Sequence, residues 1–248
     1  MLETDQLTIR FGGHVAVDAV SCAFAPGTLT SIVGPNGAGK TTYFNLISGQ
    51  LAATSGRVKL NGEDITAYGA PRRSRLGLGR AFQLTNLFPD LTALENVRLA
   101  VQVKSGRAFD IFSRTATHRE LVDRAMAHLA AVTLADRAQS VAATLPHGDQ
   151  RKLEVAILLA LEPEVFLFDE PTAGMSVDEV PTVLDIIAAI KKRGDKTILL
   201  VEHKMDVVRS LSDRIVVLHN GRLVADGLPA DVINSDVVRE AYLGNAAP

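Results

Sequence analysis

Residues 29–41 read "LTSIVGPNGAGKT", and the reading of this stretch decides the fold. Four of its first five residues, Leu29, Thr30, Ile32 and Val33, are apolar or β-branched, as a buried strand favours. The other eight, Gly34 to Thr41, match G-x-x-x-x-G-K-[ST], the phosphate-binding loop, in the strand context that motif needs. Gly34, Gly37 and Gly39 let the backbone curl free of β-carbon clashes. Backbone N–H groups of the loop, which Pro35, Asn36 and Ala38 complete, can then converge on phosphate oxygens. "TTYFNLIS" follows as a helix starting near Lys40, whose positive end adds to the attraction. Lys40 brings a point charge to the β and γ phosphates. The Thr41 hydroxyl is a hard oxygen ligand for magnesium, and Thr42 lies beside it at the helix start. A nucleotide site is implied, but GTPases, kinases, recombinases and transport ATPases all carry such a loop.

Downstream, "VFLFDE" (165–170) narrows the choice. Four apolar residues deliver Asp169 to the carboxyl end of a buried strand, where it can hold magnesium opposite Thr41. Glu170 is then placed to polarise the attacking water. Two adjacent carboxylates at the end of an apolar strand are costly unless a cation or water compensates. "TILLVEH" (197–203) is a third strand of the same kind, so the pattern predicts buried parallel strands separated by helices. "THRELVDRAMAHLAAV" (117–132) reads as an amphipathic helix with Thr117 and Glu120 as a capping box and Leu121, Ala125, Leu129 and Val132 on one face. Asn220-Gly221, between two alternating runs, predicts a type I′ hairpin. The helical middle, 90–160, is expected as a lobe inserted into an α/β core formed by 1–89 and 161–248.

The 248 residues are 47% hydrophobic and 22% charged, enough for one large globular domain. A formal charge of −2 gives no global basic field, so nucleic acid is not an expected partner. Cys22 is the sole cysteine and is expected as a small buried apolar residue. With an N-terminus "MLETDQL" that lacks a leader, it points to a reducing cytoplasm. The most apolar stretch, "LEVAILLALEPEVFLF", is interrupted by Glu154, Glu162, Pro163 and Glu164, and no run reaches the roughly 18 apolar residues of a membrane span.

"GPNGAGKTT", "RAFQ", "LPHGDQRKLEVA", "VFLFDEPTAG" and "LLVEH" follow one another in the order and approximate spacing of the ATP-binding subunits of ABC transporters. The resemblance covers essentially the whole chain. It implies a RecA-like P-loop NTPase core with an antiparallel β part and an inserted α-helical lobe, binding ATP and magnesium. It also implies a head-to-tail dimer with two ATP molecules at the interface. By the same resemblance, Phe11 in "RFGG" stacks on adenine, Gln83 touches magnesium and the attacking water, and His203 bonds the γ-phosphate. "LPHGDQ" (145–150) stands where most members have Leu-Ser-Gly-Gly-Gln, reaching across the dimer to the partner's ATP. Here Pro146 supplies neither hydroxyl nor N–H. His147 retains a backbone donor, Gly148 preserves close approach, and Asp149 is equally consistent with a helix N-cap. Ser176 replaces the Asp usual in the dimer-contact loop "AGMS".

"RFGGHVAVDAVS", the Gly-Asp-Gln of the signature and "VEHKMDVVRSLSDRIVVLHNGRLVADG" resemble the Liv-type subgroup, which serves high-affinity branched-chain amino-acid uptake. Urea-uptake and lipopolysaccharide-export ATPases share part of this pattern. The implied partners are membrane permease subunits, a second ATP-binding subunit and, indirectly, a periplasmic solute-binding protein. The implied place is the cytoplasmic face of the inner membrane. Soluble ABC ATPases acting on nucleic acid are a different class. Their long coiled coil or second phosphate loop is not present in this sequence. Leu84, Leu87, Phe88 and Leu91, after Gln83, are expected to help form a groove for a permease helix.

Overall fold

The computed structural model describes residues 1–81, 87–106, 115–235 and 238. In chain order the elements are β1 (Leu2–Phe11), β2 (His14–Phe24), β3 (Leu29–Val33), α1 (Lys40–Ser48), β4 (Ser55–Leu60) and β5 (Glu63–Asp64). Next come α2 (Ala70–Arg75), β6 (Leu78–Ala81), α3 (Ala93–Lys104), α4 (Thr115–Ala131), α5 (His147–Leu161) and β7 (Val165–Asp169). The chain continues through α6 (Val180–Lys192), β8 (Thr197–Val201), α7 (Met205–Leu211), β9 (Arg214–His219), β10 (Arg222–Gly227) and α8 (Pro229–Ile233). Two compact units result, one of Met1–Arg80, Glu164–Glu170 and Ile190–Pro248, the other of Ala81–Pro163 and Pro171–Ala189.

In the first unit the three apolar runs form β3, β7 and β8, every residue of which is buried. Strands covered on both faces read as continuous apolar runs because neither face meets water. They lie in a sheet of order β10-β9-β3-β8-β7-β6, with β3 parallel to both β8 and β9. The second sheet, β2-β1-β4-β5, is antiparallel. Asn220 and Gly221 join β9 to β10 with φ of 49° and 76°, the two positive values that a type I′ turn demands. Leu2, Phe24, Tyr43, Phe44, Ile47, Leu167 and Val216 belong to one core cluster. Each such side chain contributes roughly 1.5–3 kcal/mol on burial. Cys22 is buried among them, and its burial pushes the thiol up.

A buried arginine closes the far end of α1. Arg73 is 2% exposed and donates to the carbonyls of Leu46, Ile47, Thr66 and Tyr68 at 2.6–2.9 Å. Leu46 and Ile47 lie in the last turn of α1, whose carbonyls carry partial negative charge, and that of Leu46 also accepts from the Gly49 N–H at 3.3 Å. Burial lowers the guanidinium to about 10.

The second unit contains the packed helices α3, α4 and α5. Thr92 caps α3 by accepting from the Glu95 N–H at 3.1 Å. Leu121, Ala125 and Leu129 on α4, and Val132 just past its end, are all buried, as their spacing predicts. The helix begins at Thr115, so Thr117 is a helical residue and not the N-cap that the Thr-x-x-Glu pattern suggests. Among the described residues no helix is long and apolar enough to cross a membrane.

Candidate functional site

The phosphate loop leaves β3 at Gly34, whose φ is 151°. A Cβ there would lie 2.1 Å from the Leu218 carbonyl oxygen of β9, so only glycine lets the loop pass this close to the neighbouring strand. Gly39, φ 95°, is the N-cap of α1, and a Cβ on it would meet the Ala16 carbonyl at 2.5 Å. Ala38 donates to the Pro35 carbonyl at 3.1 Å and accepts from the Gly221 N–H at 3.0 Å, so the hairpin turn braces the loop from outside. Lys40 is 6% exposed, and its Nζ donates to the carbonyls of Gly34 (2.7 Å) and Pro35 (2.9 Å). Burial lowers its ammonium, while the charges of Glu170 and Asp169 work against that shift.

Strand β7 ends at Asp169, opposite Val201 of β8. Glu170 then turns out of the strand at φ 52°, its N–H donating to the Val201 carbonyl at 2.9 Å. Oε1 of Glu170 lies 2.7 Å from Nε2 of His203. The His203 backbone is fixed by the buried Glu202, whose Oε2 accepts from the N–H groups of His203 (3.0 Å) and Lys204 (3.3 Å). Phe11, the last residue of β1, is 50% exposed, so its ring is not part of the core.

Phe11, the loop residues Asn36–Thr42, Glu170 and His203 line one cavity of about 420 Å³, joined by His14 and Ala16. Apolar ring, amide-rich loop, ammonium and carboxylate thus surround a volume suited to a nucleotide. Among the described residues, Asp169 is not part of this lining. Its carboxyl is buried against Arg80, with Nη2 to Oδ2 at 2.7 Å. Burial pushes the Asp169 carboxyl up and Arg80 pulls it back. Gln83 and Leu84 lie outside the described residues.

Pro146, His147 and Gly148 belong to the second unit. Helix α5 begins at His147, with Pro146 as N-cap at φ −53° and ψ 153°, so the missing proline N–H is not needed by the helix. Asp149 is therefore not the N-cap. It is the third helical residue, 8% exposed, and pairs with Lys152 at 3.1 Å and Arg137 at 3.2 Å. Pro146 and His147 are exposed and Gly148 is buried. A Cβ on Gly148 would lie 2.0 Å from Glu179 Oε1. Ser176 donates through both its N–H (3.1 Å) and hydroxyl (2.9 Å) to Glu179 Oε2, closing the turn before α6.

Sequence reasoning missed His14, Arg80 and Glu202. His14 was legible only through the register that sets it opposite Phe11 across the Gly12-Gly13 turn. Arg80 and Glu202 sit inside "RAFQ" and "LLVEH", but their partners are fixed by long-range pairing that no local pattern reveals.

Comparison with known proteins matches residues 17–173 to the family described as ABC transporter. The chain is 36% identical to the high-affinity branched-chain amino acid transport ATP-binding protein LivG of Escherichia coli (strain K12), over 99% of this chain and 98% of that one. It is 38% identical to BraF of Pseudomonas aeruginosa, a protein of the same description, with the same coverage. Among solved structures, the ADP conformation of MJ1267, an ATP-binding cassette of an ABC transporter, superposes with a TM-score of 0.82 at 28% identity, covering 98% of both chains. The dimeric structure of MJ0796, a bacterial ABC transporter cassette, gives 0.80 at 25% identity over 92% of this chain and 99% of that one. With the phosphate loop, the Asp169-Glu170 strand end and His203 arranged as described, these likenesses place the chain in the family of ATP-binding, ATP-hydrolysing subunits of ABC transporters.

Proposed function

We propose that the chain drives an importer of branched-chain amino acids from the cytoplasmic face of the inner membrane. The observation that carries this reading is the 36–38% identity to LivG and BraF over nearly the whole length of all three chains. The partners on this reading are membrane permease subunits and a second ATP-binding subunit, with a periplasmic solute-binding protein acting through the permeases. The chain is taken as one ATP-binding domain, with its core in 1–89 and 161–248 and its helical lobe in 90–160.

The site residues act as follows on this reading. The exposed Phe11 ring stacks on adenine. Loop amides and Lys40 hold the phosphates. Glu170 takes a proton from water as the water oxygen bonds to the γ-phosphorus and the bond to the ADP oxygen breaks. His203, 2.7 Å from Glu170, holds that carboxylate and meets the γ-phosphate. The donor set also fits a hard dication. Thr41 lines the cavity with a hydroxyl, and the buried Asp169 carboxylate immediately precedes Glu170. Thr41, Asp169 and Gln83 would hold magnesium, which when bound neutralises charge on the β and γ oxygens.

Pro146, His147 and Gly148 are read as the signature that faces the partner's ATP. Pro146→Ser with His147→Gly restores donors to that face and should favour an ATP-dependent homodimer by ~1–3 kcal/mol, about 5- to 150-fold. Sedimentation with ATP in the Glu170→Gln background checks this. Equal dimerisation with and without the two changes would mean that "LPHGDQ" is already fully competent.

Co-purification with the permeases, then ATPase assays with leucine, isoleucine or valine on the binding protein, tests the transport reading. Stimulation by urea or lipopolysaccharide instead would move the chain to another system. Docking can be probed in the same assay. Phe88 is 56% exposed and Leu87 half-buried. Asn96, 2% exposed, fixes the Phe88 backbone by bonds to its carbonyl (3.1 Å) and N–H (2.9 Å). Phe88→Ser should keep ATP binding but cost ~2 kcal/mol of permease affinity, about thirtyfold. Unchanged stimulation in that variant would place the docking surface elsewhere.

A further inference from the structure

Arg80 has no part in the roles assigned above, yet it touches the acid on which one of them depends. It is the third residue of β6, and its side chain is 8% exposed against 4% for that of Asp169. Nη2 donates to Asp169 Oδ2 at 2.7 Å. Nη1 reaches in another direction, to Asn45 Oδ1 (2.6 Å), Ser48 Oγ (2.8 Å) and Gln50 Oε1 (3.1 Å). Asn45 and Ser48 lie in the last turns of α1, the helix that starts at Lys40. One guanidinium therefore joins the acid at the end of β7 to the far end of the phosphate-loop helix. The planar fork of arginine can serve both directions at once, which a lysine ammonium cannot do with the same geometry.

A buried carboxylate without a counter-charge is costly, and Arg80 supplies that charge. The same charge opposes any second cation that approaches Asp169, since burial leaves the repulsion poorly screened. We propose that Arg80 is a positioning residue for ATP hydrolysis that serves as a stand-in cation for Asp169. It holds the carboxylate at the strand end and limits how tightly a divalent cation is taken up with the nucleotide. The inference rests on the reading of Asp169 as a magnesium-holding residue.

Neutralising Arg80 has two effects of opposite sign. The carboxylate becomes more attractive to a divalent cation, and it loses the bond that orients it. Metal uptake should tighten while hydrolysis slows. A residue that only propped the fold would weaken both.

The test uses the full chain with Mn²⁺ as probe, read by the free-ion electron paramagnetic resonance signal in the presence of a non-hydrolysable ATP analogue. Arg80→Gln should bind Mn²⁺ roughly three- to tenfold more tightly than the unsubstituted chain. Its kcat should fall about tenfold or more while KM for ATP stays within about threefold, the signature of an interaction made in the transition state. Arg80→Lys keeps the charge and should bind Mn²⁺ within about twofold of the unsubstituted chain. If Arg80→Gln loses its cooperative thermal transition, Arg80→Met, of similar length and apolar, is held to the same criteria. Mn²⁺ binding that is equal or weaker in the neutral variant overturns the proposal. No Mn²⁺ uptake by the unsubstituted chain with the analogue overturns the magnesium reading, and the proposal with it.

Discussion

Glu170→Gln lowers ATP turnover by about 10²- to 10⁴-fold, the loss typical of a missing general base, and leaves ATP binding intact. Two anchors fix this residue, one on its backbone and one on its side chain. Its backbone, at φ 52°, donates to Val201 at 2.9 Å, and its Oε1 is 2.7 Å from His203 Nε2. Left-handed backbone at a residue other than glycine costs ~1–3 kcal/mol and persists where surrounding structure enforces it. Here the five buried residues of β7 provide that enforcement. Glutamine keeps the shape and a hydrogen bond to His203 but cannot take the proton. Phosphate release and an equilibrium ATP titration check the two halves of the expectation. A variant that turns over within about threefold of the unsubstituted rate would reassign the base, because a true base contributes far more.

Lys40→Ala weakens ATP binding by about 10²- to 10³-fold, about 3–4 kcal/mol, as expected when roughly two hydrogen bonds to a charged group are lost. The ammonium is held within the loop by the carbonyls of Gly34 and Pro35, so little side-chain entropy remains to be lost when phosphates arrive. The Gly34 carbonyl loses this donor at a smaller cost to folding, while that of Pro35 keeps the N–H of Ala38. Isothermal titration with ATP decides the matter, and an unchanged affinity would put the phosphates elsewhere. Glu170→Gln should separate cleanly from Lys40→Ala, since one removes chemistry and the other removes affinity.

The parts of the fold legible in the sequence are those whose signal is local. β3, β7 and β8 are short runs dominated by apolar and β-branched residues because both faces are buried, and Asn220-Gly221 announces its turn because two positive φ values select those residue types. The amphipathic face of α4 is legible for the same reason, but its start is not. A capping pattern at Thr117 cannot report that helix already precedes it. Asp149 misleads in a similar way, because an acid in the first turn and an acid at the N-cap look alike until the helix start at His147 is known. Arg80 is the instructive omission. Its partners Asp169, Asn45 and Ser48 are distant in sequence and meet only through sheet order.

Sheet order also sets when the site can exist. β3 emerges early in synthesis, but its hydrogen-bonded neighbours are β8 and β9, which begin at Thr197 and Arg214. The brace on Ala38 comes later still, from the N–H of Gly221. At about 5–20 residues per second, the ribosome takes roughly 10 to 40 s to pass from the loop to its brace. During that interval the nascent chain carries the loop's letters without the walls that give them shape. The nucleotide pocket is therefore complete only when strands near the C-terminus have docked, so the shape of the loop is among the last features that synthesis delivers.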